Sequence, residues 1–526
     1  MSGSLRITWF ATTLLTLVVA SAGAQNRIWR PDERTIISDG GMLGAVAPGI
    51  REVYAASPAN ILVYDAPFQR WTTPIPLPPE IGDARVTALA WDAALATLWL
   101  GTDRGDLWLI TPGPNVWDRV SAFTRGAIEF VIADRRQAAV WIRAGGEWLR
   151  AASGFPAADP VPSSSVPREV LQQTTQLPDD PFLRSARGTL GLDPAGRRWS
   201  LVDVERGANP GEYWIATRGG GLLHFDSRFD RRDWLRYGLA SRGAASIARI
   251  DDWLWFGGDG RGERSGVARA GADLETWTQF DGDEGAPRGF VAEIVRFGDA
   301  YWFGSSDGLF TLDAARIDDA RRRAAWTRRT TRDGLASDAV RSLVVAGGRL
   351  WAGTDRGLSS FDAQGRPVDG PLLGGRRVSR MVVRGDSLYI ANDDGVSRIA
   401  LSDANAQPQP WSGNPALRGR VTDLALLDGA IFAIAGGAVY AADASSPPLR
   451  DPMLTRIGDA YRLAAGDGRL WVAGPGGIAY RDPSSGAWTA FTAPGDVRAG
   501  PVVDVLPVGD DVWAATPAGA IRLRWR

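Results

Sequence analysis

Charged side chains recur at short, glycine-containing turns along this sequence, and they are the residues best placed to bind another molecule. A mixture of carboxylates and guanidiniums could engage a protein, a peptide or a sugar through charge-assisted hydrogen bonds. Asp and Gly also suit the tight turns themselves, so turn geometry alone is the alternative interpretation. The binding candidates are Asp103, Arg104, Arg218, Asp259, Asp307, Asp333, Asp355, Arg356, Asp393 and Asp394.

Few residues in the sequence offer catalytic chemistry. There is one histidine and no cysteine, and all 59 basic residues are arginine. These counts exclude a thiolate site, a lysine Schiff base and a metal site built from several histidines. The single histidine, His224, has no serine or carboxylate partner at a telling spacing, so we predict a structural role for it. We therefore predict no catalytic residue, no bound metal and no cofactor.

One enzymatic alternative stays open at this point. The alternative is a metal-dependent hydrolase or lyase that acts on a sugar or lactone, and the first kind needs a carboxylate-lined metal site. Asp and Glu are plentiful here, but no spacing singles out a ligand set. Fold alone is not evidence of activity. The favoured interpretation is accordingly a non-catalytic binding protein.

The elements that carry these turns are revealed by evenly spaced aromatic residues. Most intervals between them are close to the roughly 40–45 residues of a four-stranded propeller blade. Further tryptophans mark a fourth strand in several units, among them Trp71, Trp234 and Trp277. The pattern predicts an all-β propeller of about 11–12 four-stranded blades arranged in two rings. The anchor residues, each predicted to lie in a second strand, are Tyr54, Trp99, Trp141, Trp214, Trp255, Trp302, Trp351, Tyr389, Phe432, Trp471 and Trp513.

The best-defined unit spans residues 332–362 and resembles a known repeat. It combines the turn Gly334-Leu335-Ala336-Ser337-Asp338, the strand Leu350-Trp351-Ala352-Gly353-Thr354 and an ending at Phe361-Asp362. These motifs are similar to the two-component-regulator propeller repeat, and the resemblance covers roughly residues 45 to 524. In that family, such repeats build periplasmic sensor regions of hybrid histidine kinases and also occur in stand-alone envelope proteins. Because no kinase region follows before Arg526, we expect no phosphotransfer by this chain itself.

The N-terminal residues predict export. Residues 1–24 combine one early arginine, an apolar run and a small-residue cleavage site, which is typical of a secretory signal, although a retained anchor is an alternative. We expect a periplasmic or secreted protein with no integral membrane span after cleavage. A net charge of −1 indicates no general attraction to nucleic acid. The expected partner is an envelope protein, a peptide or a carbohydrate.

Residues 25–526 are predicted to form one repeat array whose division into rings the sequence leaves open. A Pro-, Ala- and Ser-rich stretch at about 151–190 interrupts the regular spacing, and we interpret it as an insertion between the third and fourth strands of the third unit, with one helical turn near Val170. A degenerate extra blade is the alternative. The last unit ends in its third strand, and Asn26–Arg30 is the candidate for the missing strand. If the chain ends meet in this way, the other ring is inserted within the first.

Overall fold

The structure, a computed structural model, describes residues 29–526 apart from 31–32, 123–125, 135, 175–179, 187, 262–263, 320–322, 404, 412 and 498–499. The predicted signal segment, residues 1–24, lies outside the described residues. The described chain forms eleven sheets, which are antiparallel apart from one short parallel strand pair. The all-β prediction is therefore confirmed. Helices are short and few: α1 is Arg168–Gln172, α2 is Pro181–Ala186 and α3 is Pro452–Ile457.

The first four sheets, which we call blades 1 to 4, lie between Ala45 and Leu235. Each blade is a four-stranded meander, and short extra strands at Ile75–Pro76 and Ser121–Ala122 extend blades 1 and 3. The strands of blade 1 are Ala45–Pro48, Glu52–Ala56, Asn60–Asp65 and Arg70–Trp71, and those of blade 2 are Val86–Asp92, Thr97–Thr102, Leu107–Thr111 and Val116–Arg119. The strands of blade 3 are Ile128–Asp134, Ala139–Ala144, Glu147–Ala152 and Ala157–Val161, and those of blade 4 are Ser200–Arg206, Glu212–Arg218, Leu222–Asp226 and Arg231–Leu235.

The other seven sheets, blades 5 to 11, follow from Ala244 onward. The strands of blade 5 are Ala244–Ile250, Trp253–Gly258, Gly266–Gly271 and Trp277–Asp281, those of blade 6 are Val291–Phe297, Ala300–Ser305, Gly308–Asp313 and Trp326–Arg329, and those of blade 7 are Val340–Ala346, Arg349–Thr354, Gly357–Phe361 and Pro367–Leu372. The strands of blade 8 are Val378–Arg384, Ser387–Asn392, Gly395–Ala400 and Gln409–Trp411, and those of blade 9 are Val421–Leu427, Ala430–Ala435 and Ala438–Ala441. The strands of blade 10 are Arg462–Gly466, Arg469–Gly474, Gly477–Arg481 and Trp488–Thr492, and those of blade 11 are Asp504–Val508, Asp511–Thr516 and Gly519–Arg524.

Every predicted anchor aromatic lies in the second strand of its sheet, as expected. Trp99, Trp255 and Trp471 are fully buried between neighbouring blades, and the aromatic and β-branched residues around them form the core clusters. Large rings suit this position because they fill the wide space between two twisted sheets. The periodic aromatics are therefore packing residues.

Neighbouring blades pack through their first strands, in two separate series. Blades 5 to 11 follow one another in chain order, and blade 11 packs on blade 5, so this series returns to its start. In the other series, blade 4 packs on blade 1, followed by blades 2 and 3. Within each blade, the turns after the first and third strands lie on one face, which we call the lower face. The turns after the second and fourth strands lie on the opposite, upper face. The number of closed rings stays a prediction.

Buried carboxylates on first strands hold adjacent blades together. Oδ2 of Asp203 accepts a hydrogen bond from the Val46 N–H at 2.9 Å, which joins blade 4 to blade 1. An oxygen of Glu293 accepts from the Leu343 N–H at 3.1 Å in the same way, joining blade 6 to blade 7. Burial raises the pKa of Asp203 to about 6. These acids are structural, because each satisfies an N–H of the next blade.

The strand that completes blade 11 is not the predicted one. Arg34–Ile37 pairs antiparallel with Gly519–Arg524, with Ile36 opposite Ile521, whereas the predicted segment was Asn26–Arg30. Of that segment, residues 26–28 lie outside the described residues, and Trp29 packs on Phe491 of blade 10 instead of pairing in a strand. Thr35, Ile36 and Ile37 are buried, so the β-branched run fills the last blade. Blade 11 is therefore built from both ends of the described chain.

The insertion follows the fourth strand of blade 3 instead of preceding it. That strand, Ala157–Val161, pairs with the third strand through Trp148 and Val161, and the irregular segment begins only at residue 162. The predicted helical turn near Val170 is confirmed as α1. Val170 packs on Trp141 and Trp148 of blade 3, and Leu183 of α2 packs on blade 4. The insertion thus covers one sheet face at each end of the four-blade series.

Blade 9 has three strands in the described chain, not the predicted four. The residues after its third strand include Pro447, Pro448 and Pro452. Proline lacks the N–H that a strand within a sheet must donate, so this stretch cannot continue the ladder. α3 follows instead, begun by Asp451, whose side chain accepts from the Met453 N–H at 2.8 Å.

Candidate functional site

The candidate binding residues identified from the sequence all lie at the upper face of their blades, but the structure brings together only some of them. Asp355 of blade 7 pairs with Arg341 at 2.9 Å and with Arg377 at 3.1 Å. Asp393 of blade 8 accepts a hydrogen bond from the Arg377 N–H at 2.9 Å and lies 3.7 Å from Arg420. These residues form a continuous line of alternating charge over blades 7 to 9.

The same line of ion pairs limits what the upper face can bind. The hydrogen bond from Arg341 lowers the pKa of Asp355 below its usual range. Asp394 pairs with Arg376 on the preceding connection. Arg356 is exposed beside them, with its backbone N–H bonded to Thr354. The acids here already have cationic partners, so a ligand would have to compete with intramolecular ion pairs.

Several other candidates have local structural roles. Asp103 accepts hydrogen bonds from the backbone and the side chain of Arg85, both at 3.0 Å. Asp307 accepts from the Ser305 hydroxyl at 2.6 Å. Asp333 completes a capping box with Thr330 at a 3-10 turn. These three acids lie on blade 2, on blade 6 and before blade 7, and each supports the turn that contains it.

The remaining candidates are separated from one another. Asp259 on blade 5 accepts from the Arg261 N–H at 3.1 Å, which is again a turn contact. Arg104 and Arg218 are exposed on blades 2 and 4. For most of these positions, the structure therefore agrees with the turn-geometry alternative.

The single histidine is engaged on both sides of its ring. Nε2 of His224 lies 3.0 Å from Glu212, and Nδ1 lies 3.4 Å from Asp233. The ring also stacks on Trp214 with a centroid distance of 4.3 Å. These contacts tie the second, third and fourth strands of blade 4 together. They are the contacts of a structural residue.

A cleft that the sequence analysis did not identify lies where the two blade series meet. It has a volume of about 670 Å³ and is bounded by the outer strands of blades 1, 4 and 5 and by a tight turn at the end of the insertion. We call it the junction cleft. Its lining residues include Trp71, Trp234, Trp277, Arg70, Arg197, Arg236, Asp193, Glu275, Gln279 and Glu284.

Aromatic rings form one side of the junction cleft. Trp71 contacts Tyr64 edge-on at 5.1 Å and Tyr237 at 5.4 Å between ring centroids. Trp277 follows, 5.0 Å from Tyr237, with its Nε1–H donated to the Leu274 carbonyl at 2.7 Å. These contacts hold the rings in place before any ligand arrives. A fixed aromatic surface of this kind suits a peptide side chain or the apolar face of a sugar.

Buried ion pairs form the other side of the cleft, centred on Asp281. Its carboxylate contacts Arg197 at 2.8 Å, Arg236 at 2.9 Å and Arg264 at 3.2 Å. Burial alone would raise its pKa, but these three guanidiniums lower the pKa of Asp281 to about 2. Asp281 is therefore a charged, fully engaged residue at neutral pH.

Two further acids connect this cluster to the rest of the molecule. Asp193, in the turn of the insertion, accepts from Arg197 at 2.9 Å and from Arg236 at 3.2 Å. Asp39, which follows the strand Arg34–Ile37, contacts Arg264 at 3.1 Å. The cluster therefore fastens the insertion, the N-terminal segment and blade 5 to one another. At the mouth of the cleft, Arg70 of blade 1 pairs with Glu275 of blade 5 at 2.7 Å.

Some residues of this cleft stand out in the sequence, but the cleft itself could not be predicted from it. Trp71, Trp234 and Trp277 stand out as fourth-strand markers, but their period predicts packing, not a shared cavity. The cleft exists because blade 4 packs on blade 1 and because the N-terminal segment returns to blade 11. Neither relationship follows from the spacing of the repeats.

Two absences among the described residues concern metal binding and membrane crossing. Among the described residues, no group of three or more His, Asp or Glu side chains is placed to hold a metal ion. Likewise, no described helix has the length and apolar character needed to cross a bilayer.

Comparison with known proteins gives structural neighbours at low sequence identity. Neither a protein-family model nor a curated protein sequence matches this chain. The extracellular domain of the proposed one-component system BT4673 from B. thetaiotaomicron is similar over 92% of this chain and 69% of its own, with 12% identity and a TM-score of 0.42. PorZ, a surface component of the type-IX secretion system of Porphyromonas gingivalis, is similar over 92% of this chain and 74% of its own, with 12% identity and a TM-score of 0.44.

A third neighbour is the WD40 domain of Neurospora crassa Pan2, similar over 53% of this chain and 88% of its own, with 13% identity and a TM-score of 0.39. The architecture of this chain is established by its own strand pairing, and the repeats within it resemble the two-component-regulator propeller.

Proposed function

We propose that this chain is an exported, non-catalytic β-propeller protein that binds a ligand or a protein partner in the cell envelope. The junction cleft is the observation that carries the proposal. It combines a preformed aromatic side with a rigid polar side, which is the composition of small-ligand and peptide sites in general. It also lies between two blade series, where such sites are often found.

The ion pairs of the cleft favour a neutral or weakly charged ligand. The guanidiniums of Arg197 and Arg236 are each bonded to two buried carboxylates, so neither is available as an unpaired cation. A strongly anionic ligand would have to break those pairs, and breaking a buried pair is costly. A carbohydrate or an uncharged peptide segment can instead use the faces of Trp234 and Trp277.

The position of the cleft is consistent with two uses of binding. A sensor-like module needs a ligand that contacts both blade series, and the cleft is lined by residues of blades 1, 4 and 5. A scaffold subunit needs a fixed surface for another protein, and the same walls provide one. We propose the first use for a small ligand and the second for a peptide segment of a partner. In both cases, the exported location follows from the predicted signal segment.

Tryptophan fluorescence tests the proposal, because three tryptophans line the cleft. We would titrate the purified full chain with a defined panel of neutral oligosaccharides and short uncharged peptides. The informative variant is Trp277→Leu in the fourth strand of blade 5. Its control is Trp488→Leu, the equivalent position of blade 10, far along the chain from the cleft.

Saturable binding that is lost in Trp277→Leu and retained in Trp488→Leu would support the junction cleft. Binding that survives both substitutions would place the site elsewhere, and chemical turnover of any probe would contradict a non-catalytic role. The enzymatic alternative has its own test, which is metal analysis of the purified protein. One tightly bound divalent ion per chain would favour a metal-dependent hydrolase or lyase.

A further inference from the structure

The lower face of blades 1 to 4 presents large apolar side chains at the tips of its turns. Their exposed fractions lie between 57% and 76%. One such residue is common on a protein surface, so the informative observation is that five of them share one face. They occur on all four blades of the series. We call them the apolar tips, and they are Ile50 and Phe68 on blade 1, Leu95 on blade 2, Phe155 on blade 3 and Phe229 on blade 4.

These tips are concentrated in one part of the molecule. The other large apolar side chains with high exposure in blades 5 to 11 are Phe290, Val345, Val368 and Tyr461. Val345 and Val368 lie within strands, Phe290 lies in an upper connection and Tyr461 precedes a first strand, so none occupies a lower turn. The apolar tips are therefore a property of blades 1 to 4, not of the repeat.

Arginine guanidiniums surround two of the phenylalanine tips. Arg51 lies over the Phe68 ring at 4.8 Å, and Arg228 lies over Phe229 at 5.5 Å. Both arginines pair with aspartates that lie beneath them. The Arg51 side chain is 49% exposed and Asp65 only 6%, while Arg228 is 47% exposed and Asp226 14%. An approaching surface would therefore meet the cations before the acids.

The lower face of blades 5 to 11 has the opposite character. Six of the seven turns between first and second strands carry an exposed aspartate there. These are tight two-residue turns, which aspartate and glycine suit, whereas the corresponding turns of blades 1 to 4 are longer. Those blades instead have Ile50, Leu95, Arg136 and Asn209 at the corresponding turns. The acidic turns of blades 5 to 11 contain Asp251 and Asp252, Asp299, Asp386, Asp428, Asp467 and Asp510.

The arrangement of the tips indicates what kind of surface they meet. They stand on separate turns of successive blades, so a protein partner would need a matching pocket for each one. A lipid surface accepts several separate apolar side chains without such a match, and anionic headgroups attract the arginines beside them. The acidic first-to-second turns lie on the other blade series, and Asp230, which is exposed beside Phe229, is paired with Arg232 at 2.7 Å.

We propose that the lower face of blades 1 to 4 docks on an anionic phospholipid surface. The apolar tips enter the interfacial layer, and Arg51 and Arg228 contact lipid phosphates. The proposal is independent of the junction cleft, which is lined by outer strands and the insertion. It assigns a membrane surface as a second contact of a chain whose described helices do not cross one.

Vesicle flotation of the full chain tests this proposal. The probes are vesicles of pure phosphatidylcholine and vesicles of phosphatidylcholine mixed with phosphatidylglycerol, each at low and high salt. We expect binding to the mixed vesicles that weakens as salt screens the arginines. The double variant Phe68→Ser/Phe229→Ser should reduce binding roughly tenfold. The matched control Val345→Ser/Val368→Ser, on exposed positions of blade 7, should retain it.

A third variant, Arg228→Gln, separates the two contributions. It should lose part of the phosphatidylglycerol-dependent binding and leave weak binding to pure phosphatidylcholine unchanged. Thermal melting of each variant establishes that it is folded. No binding to either vesicle, or equal loss in the tip and control variants, would overturn the proposal. Tip-dependent dimerisation in light scattering without vesicle binding would overturn it in favour of self-association.

Discussion

Oδ2 of Asp504 accepts a hydrogen bond from the backbone N–H of Ile247 at 2.9 Å, and so joins the first strand of blade 11 to the first strand of blade 5. The other oxygen of this carboxylate accepts from Nε of Arg462 at 2.7 Å. One buried side chain therefore links the last two blades of the series, 10 and 11, to its first, blade 5. The contact is where the seven-blade series returns to its start.

Asp504→Ala should lower the free energy of unfolding by about 3–5 kcal/mol, because it leaves the Arg462 cation without its closest partner and Ile247 without an acceptor. Urea denaturation followed by fluorescence measures the loss. Asp504→Asn keeps an acceptor and should be less damaging. The control Asp510→Ala removes an exposed acid of the same blade and should change stability by less than about 0.5 kcal/mol. Equal losses in Asp504→Ala and Asp510→Ala would contradict the role given to Asp504.

Acid should weaken the ion-pair cluster at the junction cleft. The pKa of Asp281 is about 2 in the folded chain, below the ordinary value of 3.8. A lowered pKa stabilises the fold above the unfolded value, and that contribution is lost as pH falls from about 4 to about 2. The shift corresponds to about 2 kcal/mol.

The comparison of wild type with Asp281→Asn isolates this effect. Their difference in unfolding free energy should shrink by about 2 kcal/mol between about pH 5 and about pH 2, as measured by chemical denaturation at each pH. The exposed pair of Asp362 and Arg366 offers a control, since Asp362→Asn should give a small difference throughout. A gap between wild type and Asp281→Asn that is constant with pH would show that Asp281 does not titrate in this window.

The buried anchors and the exposed aromatics should behave differently on truncation. Trp255 is fully buried between blades 5 and 6, so Trp255→Ala should cost about 3–5 kcal/mol of stability. Phe229, which is 76% exposed, should tolerate Phe229→Ala within about 0.5 kcal/mol. Thermal and urea unfolding measure both. Similar losses at the two positions would undermine the assignment of the periodic aromatics to inter-blade packing.

The strand Arg34–Ile37, which completes blade 11, provides a further test of the fold. Ile37 is fully buried opposite Ala520, so Ile37→Ala should destabilise the chain by about 2–5 kcal/mol although it lies far from most of the fold in sequence. Val345→Ala, at a half-exposed position of a first strand, serves as the control and should have a small effect. If Ile37→Ala unfolds like wild type in urea, the pairing of residues 34–37 with blade 11 is wrong.

The blades could be predicted from sequence because each one carries its own complete signal. A turn, an anchor such as Trp351 and a glycine at the next turn recur within a single unit, and strand pairing inside a meander is local. Fourth strands were predictable where a tryptophan marked them, as at Trp277. The fourth strand of blade 3 was not, because Ala157–Val161 has the composition of a loop and is fixed by its pairing with the third strand and with Ser121–Ala122.

Contacts between blades were harder to predict from the sequence. Residues 26–30 and residues 34–37 both contain apolar residues compatible with a strand, and the choice between them depends on Trp29 fitting beside Phe491 and donating to Asp496 at 2.9 Å. The junction cleft depends on three outer strands from blades that are distant in sequence. Most upper-face candidates, such as Asp103 and Asp307, were conspicuous for the same reason that they are structural: they stabilise their turns.

The pairing of Arg34–Ile37 with the last strand has a consequence for biosynthesis. This strand is synthesised well before its partner, Gly519–Arg524, because most of the described chain lies between them in sequence. Blades 1 to 4 lie wholly between the two and can collapse while translation continues. Until the final strand arrives, the buried face of Thr35, Ile36 and Ile37 is an unpaired, aggregation-prone edge.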